Sequence, residues 1–244
     1  MPFTLAHPAA VLPLFKNTKW FHAPALVLGS MAPDFEYFLR GKTLGIYGHT
    51  YAGQFWFNLP LVVLVYWVFM ECGSLLPLSL YGKKNVHVFA KQKAAASCRT
   101  PKLVFVFIYS ALIGMFTHLA WDSFTHPGGV MVGALPVLKK SIYGLPLCRV
   151  LQHASSVLGL AILAWWWNPF SVAKRLACHA KRNAWLWVST AVLSSIVFTA
   201  WIFSARLPVD KTGTLVVRWM DSVMASFLVL AVFQKIKNRK RKTT

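Results

Sequence analysis

Acidic residues are what this sequence has least of. Its carboxylate side chains are Asp34, Glu36, Glu71, Asp122, Asp210 and Asp221, six against 26 Lys and Arg, and charged residues of both signs make up only 13% of the chain. Soluble domains carry about a quarter charged residues, so that class fits badly, as does the highly charged disordered class. Cysteine is scarce as well. Cys72, Cys98, Cys148 and Cys178 form no C-x-x-C pair and lie far apart, which indicates neither a thiolate zinc site nor a disulfide framework. No G-x-S-x-G is present, so serine-nucleophile chemistry has no support. No internal repeat of fixed period is visible, against the paired halves of alternating-access transporters. The opening Met1-Pro-Phe-Thr-Leu-Ala-His-Pro8 has no basic n-region and no small-residue cleavage site, so a removed signal peptide is not expected.

What the chain has instead is apolar length. With 57% hydrophobic residues and a mean hydropathy of +0.52, it reads as a polytopic membrane protein, an all-α helical bundle forming a single membrane domain. Five spans are expected, at about Asn58–Leu76, Leu103–Trp121, Val150–Trp167, Trp185–Ser204 and Leu215–Phe233, each near the length of one bilayer crossing. Trp56, Trp121, Trp165–Trp167 and Trp185 fall at their ends, as interfacial aromatics do. Within residues 1–57, neither Pro2–Phe15 nor Pro24–Pro33 is long enough to span. These pieces read as short interfacial or re-entrant helices. Irregular backbone at membrane depth persists only when buried in protein or lining a wet cavity, so this segment is a natural wall for a site.

The net charge of +20 does not line one recognisable binding module, and no nucleic-acid partner is expected. Membrane topology accounts for it. The 81–102 loop, the 168–184 loop and the 234–244 tail carry six, four and six basic residues, sixteen together; residues 1–57, the 127–149 loop and the 205–214 loop carry four, three and two, nine together. Lys and Arg near span ends are held in the cytoplasm, which puts the basic tail inside and the second group of segments on the non-cytoplasmic side of an inner membrane.

On that second side lies Thr117-His-Leu-Ala-Trp-Asp-Ser-Phe-Thr-His-Pro-Gly-Gly129. His118, Asp122 and His126 are four apart, each about 40° round and about 6 Å along a helix from the last. His118 and Asp122 can grip one ion. His126 stands roughly 12 Å from His118 on a continuous helix, but Pro127 pushes the residue before it out of helical geometry, so it either swings back or serves a second ion. Such a spacing also suits a helix end that simply exposes polar groups to water. The same side holds His7, Asp34, His49 and His153, so seven candidate ligands from separate segments converge, a His/Asp set suited to zinc and similar divalent ions. Glu36 is a reserve acid/base, pointing away from Asp34 in a helix and sharing its face in an extended chain. Tyr47, Thr50 and Gln152 flank ligand candidates as outer donors. His22 reads as an interfacial residue, His87 and His179 as solvated, and Arg218 with Asp221 as an intrahelical ion pair.

With these residues laid out, Met1-Pro-Phe-Thr-Leu-Ala-His-Pro-Ala-Ala10, Gly29-Ser-Met-Ala-Pro-Asp-Phe-Glu-Tyr-Phe38, His118-x-x-x-Asp122 and Leu151-Gln-His-Ala-Ser-Ser156 resemble a bacterial membrane family, domain of unknown function 4184, over most of the chain. That family name implies no activity. The order His7, Asp34, His49, His118-x-x-x-Asp122, His126, His153 more distantly resembles the ligand order of the zinc-dependent phospholipase C and P1 nuclease superfamily, a pattern similar to that of inner-membrane proteins classed as metal-dependent hydrolases. In the soluble enzymes several zinc ions hold a hydroxide against a phosphodiester. Two positions depart: Val157 stands where an acidic ligand is expected four residues after the last His, and the N-terminal Trp ligand is absent. The expectation is a membrane-bound, zinc-type hydrolase acting on an ester or phosphodiester of a lipid or lipid-linked substrate. Asp34, His49, His118 and Asp122 form its principal site, and His7, His126 and His153 hold a second ion. Asp34, Asp122 and Glu36 are the catalytic candidates. The rival is a non-catalytic scaffold or transporter with a structural polar or metal cluster.

Overall fold

Two prolines decide the shape of the first element. In the computed structural model, which describes residues 3–17, 19–72, 100–142, 144–167, 184–205 and 212–243, Thr4–Lys16 winds as a 3-10 helix with Pro8 and Pro13 inside it. Each proline removes an N–H that an α-helical turn needs, and its ring clashes with the carbonyl four residues back. The tighter winding keeps the segment helical. Its Ala6, His7, Val11, Leu12 and Phe15 are buried, so it is an inner wall of the bundle.

Helix α1, Ala23–Met31, begins where the His22 imidazole accepts the Ala25 N–H at 3.3 Å and a proline fills the first turn. His22 is thus a buried cap, packed edge-on to Tyr66 and Phe107, rather than an interfacial side chain. A 3-10 turn, Ala32–Asp34, leads into α2, Phe35–Arg40. Gly41, at φ +59° in the left-handed region, closes α2 by donating its N–H to Phe38 and Tyr37. The chain turns again at Thr50, whose hydroxyl accepts the Gly53 N–H at 3.0 Å. One helical turn (Tyr51–Gly53) and one π turn (Gln54–Asn58) then run into α3, Leu59–Cys72.

Beyond lie α4 (Pro101–Thr125), α5 (Val130–Ala134) and a 3-10 turn (Pro136–Lys139). A two-stranded hairpin follows, pairing Ser141 with Pro146 and Ile142 with Leu145, and then come α6 (Leu147–Trp167), α7 (Ala184–Ala205) and α8 (Thr212–Thr243).

Four helices among the described residues are long and apolar enough to cross a membrane: Tyr51–Met70, Pro101–Ala134, Leu147–Trp166 and Gly213–Leu230. The apolar stretch of α7, Trp187–Phe203, is shorter. The chain is an all-α membrane bundle. The first span starts at Tyr51 rather than at Asn58, because the capped turn and the π turn extend it. Its expected end at Leu76, and the basic loops at 81–99 and 168–183 with His87 and His179, lie outside the described residues.

In lipid, helices associate by close packing rather than by escape from water, which favours small residues at the crossing. Here α1 crosses α4 with Gly29 against the Ala111 carbonyl and Gly114 against the Leu26 carbonyl, so close that a Cβ at either would collide with backbone. Ala25, Ala32, Val62, Ala111 and Met115 pack around this crossing with no exposure. At the far side Arg218 of α8 does not pair with Asp221. Its Nε donates to the Gly41 carbonyl at 3.0 Å and its Nη1 to the Trp201 carbonyl at 3.3 Å, with the guanidinium 4.9 Å from the Trp201 ring centre. The α7–α8 hairpin is thereby pinned to the end of α2.

Candidate metal centre

The α1–α4 crossing places the first ligand candidate. With the two backbones in contact, the Ser30 carbonyl reaches the His118 ring, 2.7 Å from Nδ1. A carbonyl only accepts, so Nδ1 carries the proton and the lone pair is left on Nε2, turned inward. Asp122, one helical turn later, points the same way. From α2's threshold comes Asp34, whose Oδ2 accepts the Thr4 hydroxyl at 2.6 Å, leaving Oδ1 toward His118. His7 enters from the N-terminal segment, its ring stacked on that of His118 with centroids 3.8 Å apart.

His49 arrives on a loop held from both sides. Glu36 Oε2 accepts the N–H groups of Ile46, Tyr47 and Gly48 at 2.9, 2.9 and 2.7 Å, while its Oε1 accepts from Arg40 at 2.7 Å. On the other side Gln54 donates to the carbonyls of Gly48 and Thr50, and Asn58 to that of Gly48. The Tyr37 hydroxyl stands 3.5 Å from His49 Nδ1.

Four atoms meet at the centre. His49 Nε2 lies 3.4 Å from Asp34 Oδ1 and 3.4 Å from Asp122 Oδ2; His118 Nε2 lies 3.6 and 3.4 Å from the same two oxygens. Metal–ligand bonds of about 2.0–2.2 Å in a tetrahedron separate the ligand atoms by about 3.4 Å, close to these four spacings. Asp122 Oδ1 faces outward to His7 Nε2 at 3.8 Å, the beginning of a second position. Two overlapping groups of potential ligands result: Asp34, His49 and His118, and His7, His118 and Asp122.

Hydrogen bonding does not account for this arrangement. Seven buried atoms of the cluster have no hydrogen-bond partner: both His7 nitrogens, Asp34 Oδ1, His49 Nε2, His118 Nε2 and both Asp122 oxygens. Leaving one such atom unsatisfied costs about 1–3 kcal/mol, more when it is charged, and His7, Asp34, His49, His118 and Asp122 could hold a metal ion between them. Protonation answers only part of the demand. Burial, with His118 alongside, pushes the His7 imidazole down to about 3. Burial would lower His49 too, but the Asp122 and Asp34 carboxylates outweigh it and raise the ring to about 9. For Asp34, burial acts upward and is outweighed by His49, His118 and Thr4, which hold the carboxyl below its ordinary value.

The remaining candidates fall elsewhere. Helix α4 ends at Thr125 and His126 is extended (φ −96°, ψ 136°), the break expected before Pro127. Its ring lines the wall of a cavity of about 390 Å³ shared with Tyr37, His49, Tyr51, Asp122 and Val130, and it joins neither ligand group. His153 is exposed on α6, one position past the buried Gln152. Glu36 is buried and fully engaged with the loop, which leaves it no part at the centre. Tyr47, Thr50 and Gln152 hold loop, cap and Arg149 instead of ligands. The outer contacts come from Thr4, the Ser30 carbonyl and Tyr37, which sequence reasoning passed over. All three had a usable signal, since Thr4, Ser30 and Tyr37 lie inside stretches that carry the family resemblance.

No curated protein and no solved structure matches the chain. Residues 1–236 match the family described as Domain of unknown function (DUF4184), and with nearly its whole length inside that match the chain belongs to this family.

Proposed function

We propose that this is a membrane-bound, metal-dependent hydrolase of an ester or phosphodiester, with its centre at the non-cytoplasmic face. The observation that carries the reading is the set of seven buried polar atoms without a hydrogen-bond partner on His7, Asp34, His49, His118 and Asp122. Their nitrogen and oxygen chemistry suits zinc or a similar divalent ion. Asp34, His49, His118 and Asp122 would hold it, and His7 with the outer Asp122 oxygen would hold a second.

A bound divalent ion supplies an activated water of pKa about 7 and polarises a phosphoryl or acyl oxygen. The chain's own contribution is orientation. The Ser30 carbonyl fixes the His118 tautomer, Thr4 fixes the Asp34 rotamer, and the Glu36-anchored loop presents His49. His49, with 26% of its side chain exposed where Asp34 and His118 have at most 1%, borders the cavity, so the cluster can be reached from it. Sites with four protein ligands are structural and sites short of one are catalytic; the second position, faced by His7 and the outer Asp122 oxygen, is the one short of protein ligands and favours the hydrolase over the scaffold.

Elemental analysis of protein purified without chelator and with zinc supplied tests the centre. Near-zero metal in the wild type would remove both the centre and the hydrolase. Release of product from chromogenic phosphodiesters and esters, lost on chelation and restored by zinc, tests the activity.

A further inference from the structure

The cavity beside the cluster opens at the edge of the apolar belt. Tyr51 and Val130 are exposed residues of its lining; Tyr51 is the first residue of the Tyr51–Met70 span, and Val130 lies near the end of the Pro101–Ala134 span. Both thus sit at the ends of apolar spans, where hydrocarbon gives way to headgroups. Exposed apolar side chains follow on both walls, Phe55 and Trp56 within the span that Tyr51 begins, and Val137, Ile142 and Leu145 beyond Val130. On that second wall Val132, Leu138 and Cys148 turn inward as a small core of their own, so the outward side chains have a fixed platform. Apolar groups displayed in this way are stable in a membrane interface and costly in water.

Charge on this end of the molecule has one sign. Lys139, Lys140 and Arg149 are exposed on the platform, whereas the carboxylates nearby, Asp34, Glu36 and Asp122, are all buried. Positive charge interleaved with exposed apolar side chains complements an amphiphile with an anionic head. The volume, about 390 Å³, is at the lower end of small-molecule sites, which run about 300–1,000 Å³. It has room for a headgroup, with acyl chains left in the bilayer.

We propose that the cavity admits, sideways from the membrane between Tyr51 and Val130, the phosphate-bearing headgroup of an anionic lipid selected by the basic platform. As a statement about substrate class this rests on the hydrolase reading; the docking itself needs only the cavity and its rim.

The test places the photo-crosslinking residue p-benzoylphenylalanine at the exposed Val130 of the full chain, in nanodiscs of phosphatidylcholine with a minority of phosphatidylglycerol. Mass spectrometry of the adducts is expected to show phosphatidylglycerol several-fold above its share of the membrane. Lys139→Gln combined with Lys140→Gln should return it to that share. Adducts that follow membrane composition in both proteins, or no lipid adduct at all, would overturn the proposal. So would their suppression by excess soluble glycerol phosphate, which would identify a free anion as the ligand. The same measurement on His118→Ala, which lacks a candidate metal ligand, separates the two readings. Enrichment that persists there is the expected result. Its loss would mean that the rim does not select the headgroup, and would leave the hydrolase to stand on its metal content and turnover.

Discussion

At the scale of single residues, Asp122 has two tasks and one carboxylate. Its Oδ2 faces His49 and His118, and its Oδ1 faces His7. Asp122→Asn keeps the shape but removes the charge and one of the two acceptors, so metal per chain should fall to near zero, while His153→Ala should leave it at the wild-type level. Elemental analysis of the three proteins side by side decides. Equal metal in the wild type and Asp122→Asn would exclude Asp122 as a ligand. Thr4→Val tests the outer layer: freeing the Asp34 Oδ2 should weaken metal affinity about 10–100-fold, the usual cost of losing an outer partner, in a competition titration against a chelator. Of these residues the sequence made His118 and Asp122 visible through their helical spacing, and His7, Asp34 and His49 through shared sidedness. The structure brings these five together. His126 and His153 had the same expected sidedness, yet His126 reaches only the adjoining cavity and His153 is exposed on α6, a distinction that needs coordinates. Ser30 lies in a stretch that carries the family resemblance, but that its carbonyl would be the contact was beyond reading, since backbone has no letter in a sequence.

Between elements the decisive contact is the α1–α4 crossing. Gly114→Ala would drive a methyl into the Leu26 carbonyl and force the helices apart, at a cost of about 1–3 kcal/mol or more. The Ser30 carbonyl would move off His118 with them, so a lower unfolding midpoint in detergent and weaker metal binding should appear together. Gly128→Ala, with nothing within 4 Å of the added methyl, should change neither.

The His49 loop makes a second, pH-dependent case. Burial pushes the Glu36 carboxyl up, but the N–H groups of Gly48, Ile46 and Tyr47 and the Arg40 guanidinium outweigh it, and the carboxyl stays below its ordinary value of 4.5. A carboxyl depressed by folding contributes stability that is complete above the unfolded value and disappears as pH falls through the folded one. The stability advantage of the wild type over Glu36→Gln should accordingly be constant above about pH 5 and shrink below about pH 4, as read from unfolding midpoints across that range. An advantage independent of pH would mean that charge is not what holds the loop. The short N-terminal helices and the bend at Pro127 were legible from proline positions and segment length. The π turn and the Gln54–Asn58 amide lock were not, because their partners are carbonyls of a loop with no periodic pattern.

For the whole molecule the question is how the last hairpin bears on a centre it does not touch. Arg218 and Asp221, three apart on a helix, suit an ion pair by spacing alone; the closed end of α2 offered the guanidinium two carbonyls and an aromatic face instead. Arg218→Met withdraws a donor from the Gly41 and Trp201 carbonyls, each worth about 1–3 kcal/mol when buried. It should lower the unfolding midpoint and speed metal loss, with α2 and its Glu36 less firmly held. Arg218→Lys should recover only part, since an ammonium lacks the planar fork that reaches two carbonyls while stacking. Full stability in Arg218→Met would show that α7 and α8 are attached by apolar packing alone.

Every side chain of the cluster, from His7 to Asp122, is encoded in the first half of the 244-residue chain. During synthesis the pocket's five reactive groups are therefore all present before α6, α7 and α8 exist, and the ribosome delivers Trp201 and Arg218 only afterwards. Assembly has a natural sequence in time: an ion can be captured by an unfinished protein, and the closing hairpin then acts as a late latch on an α2 already in place.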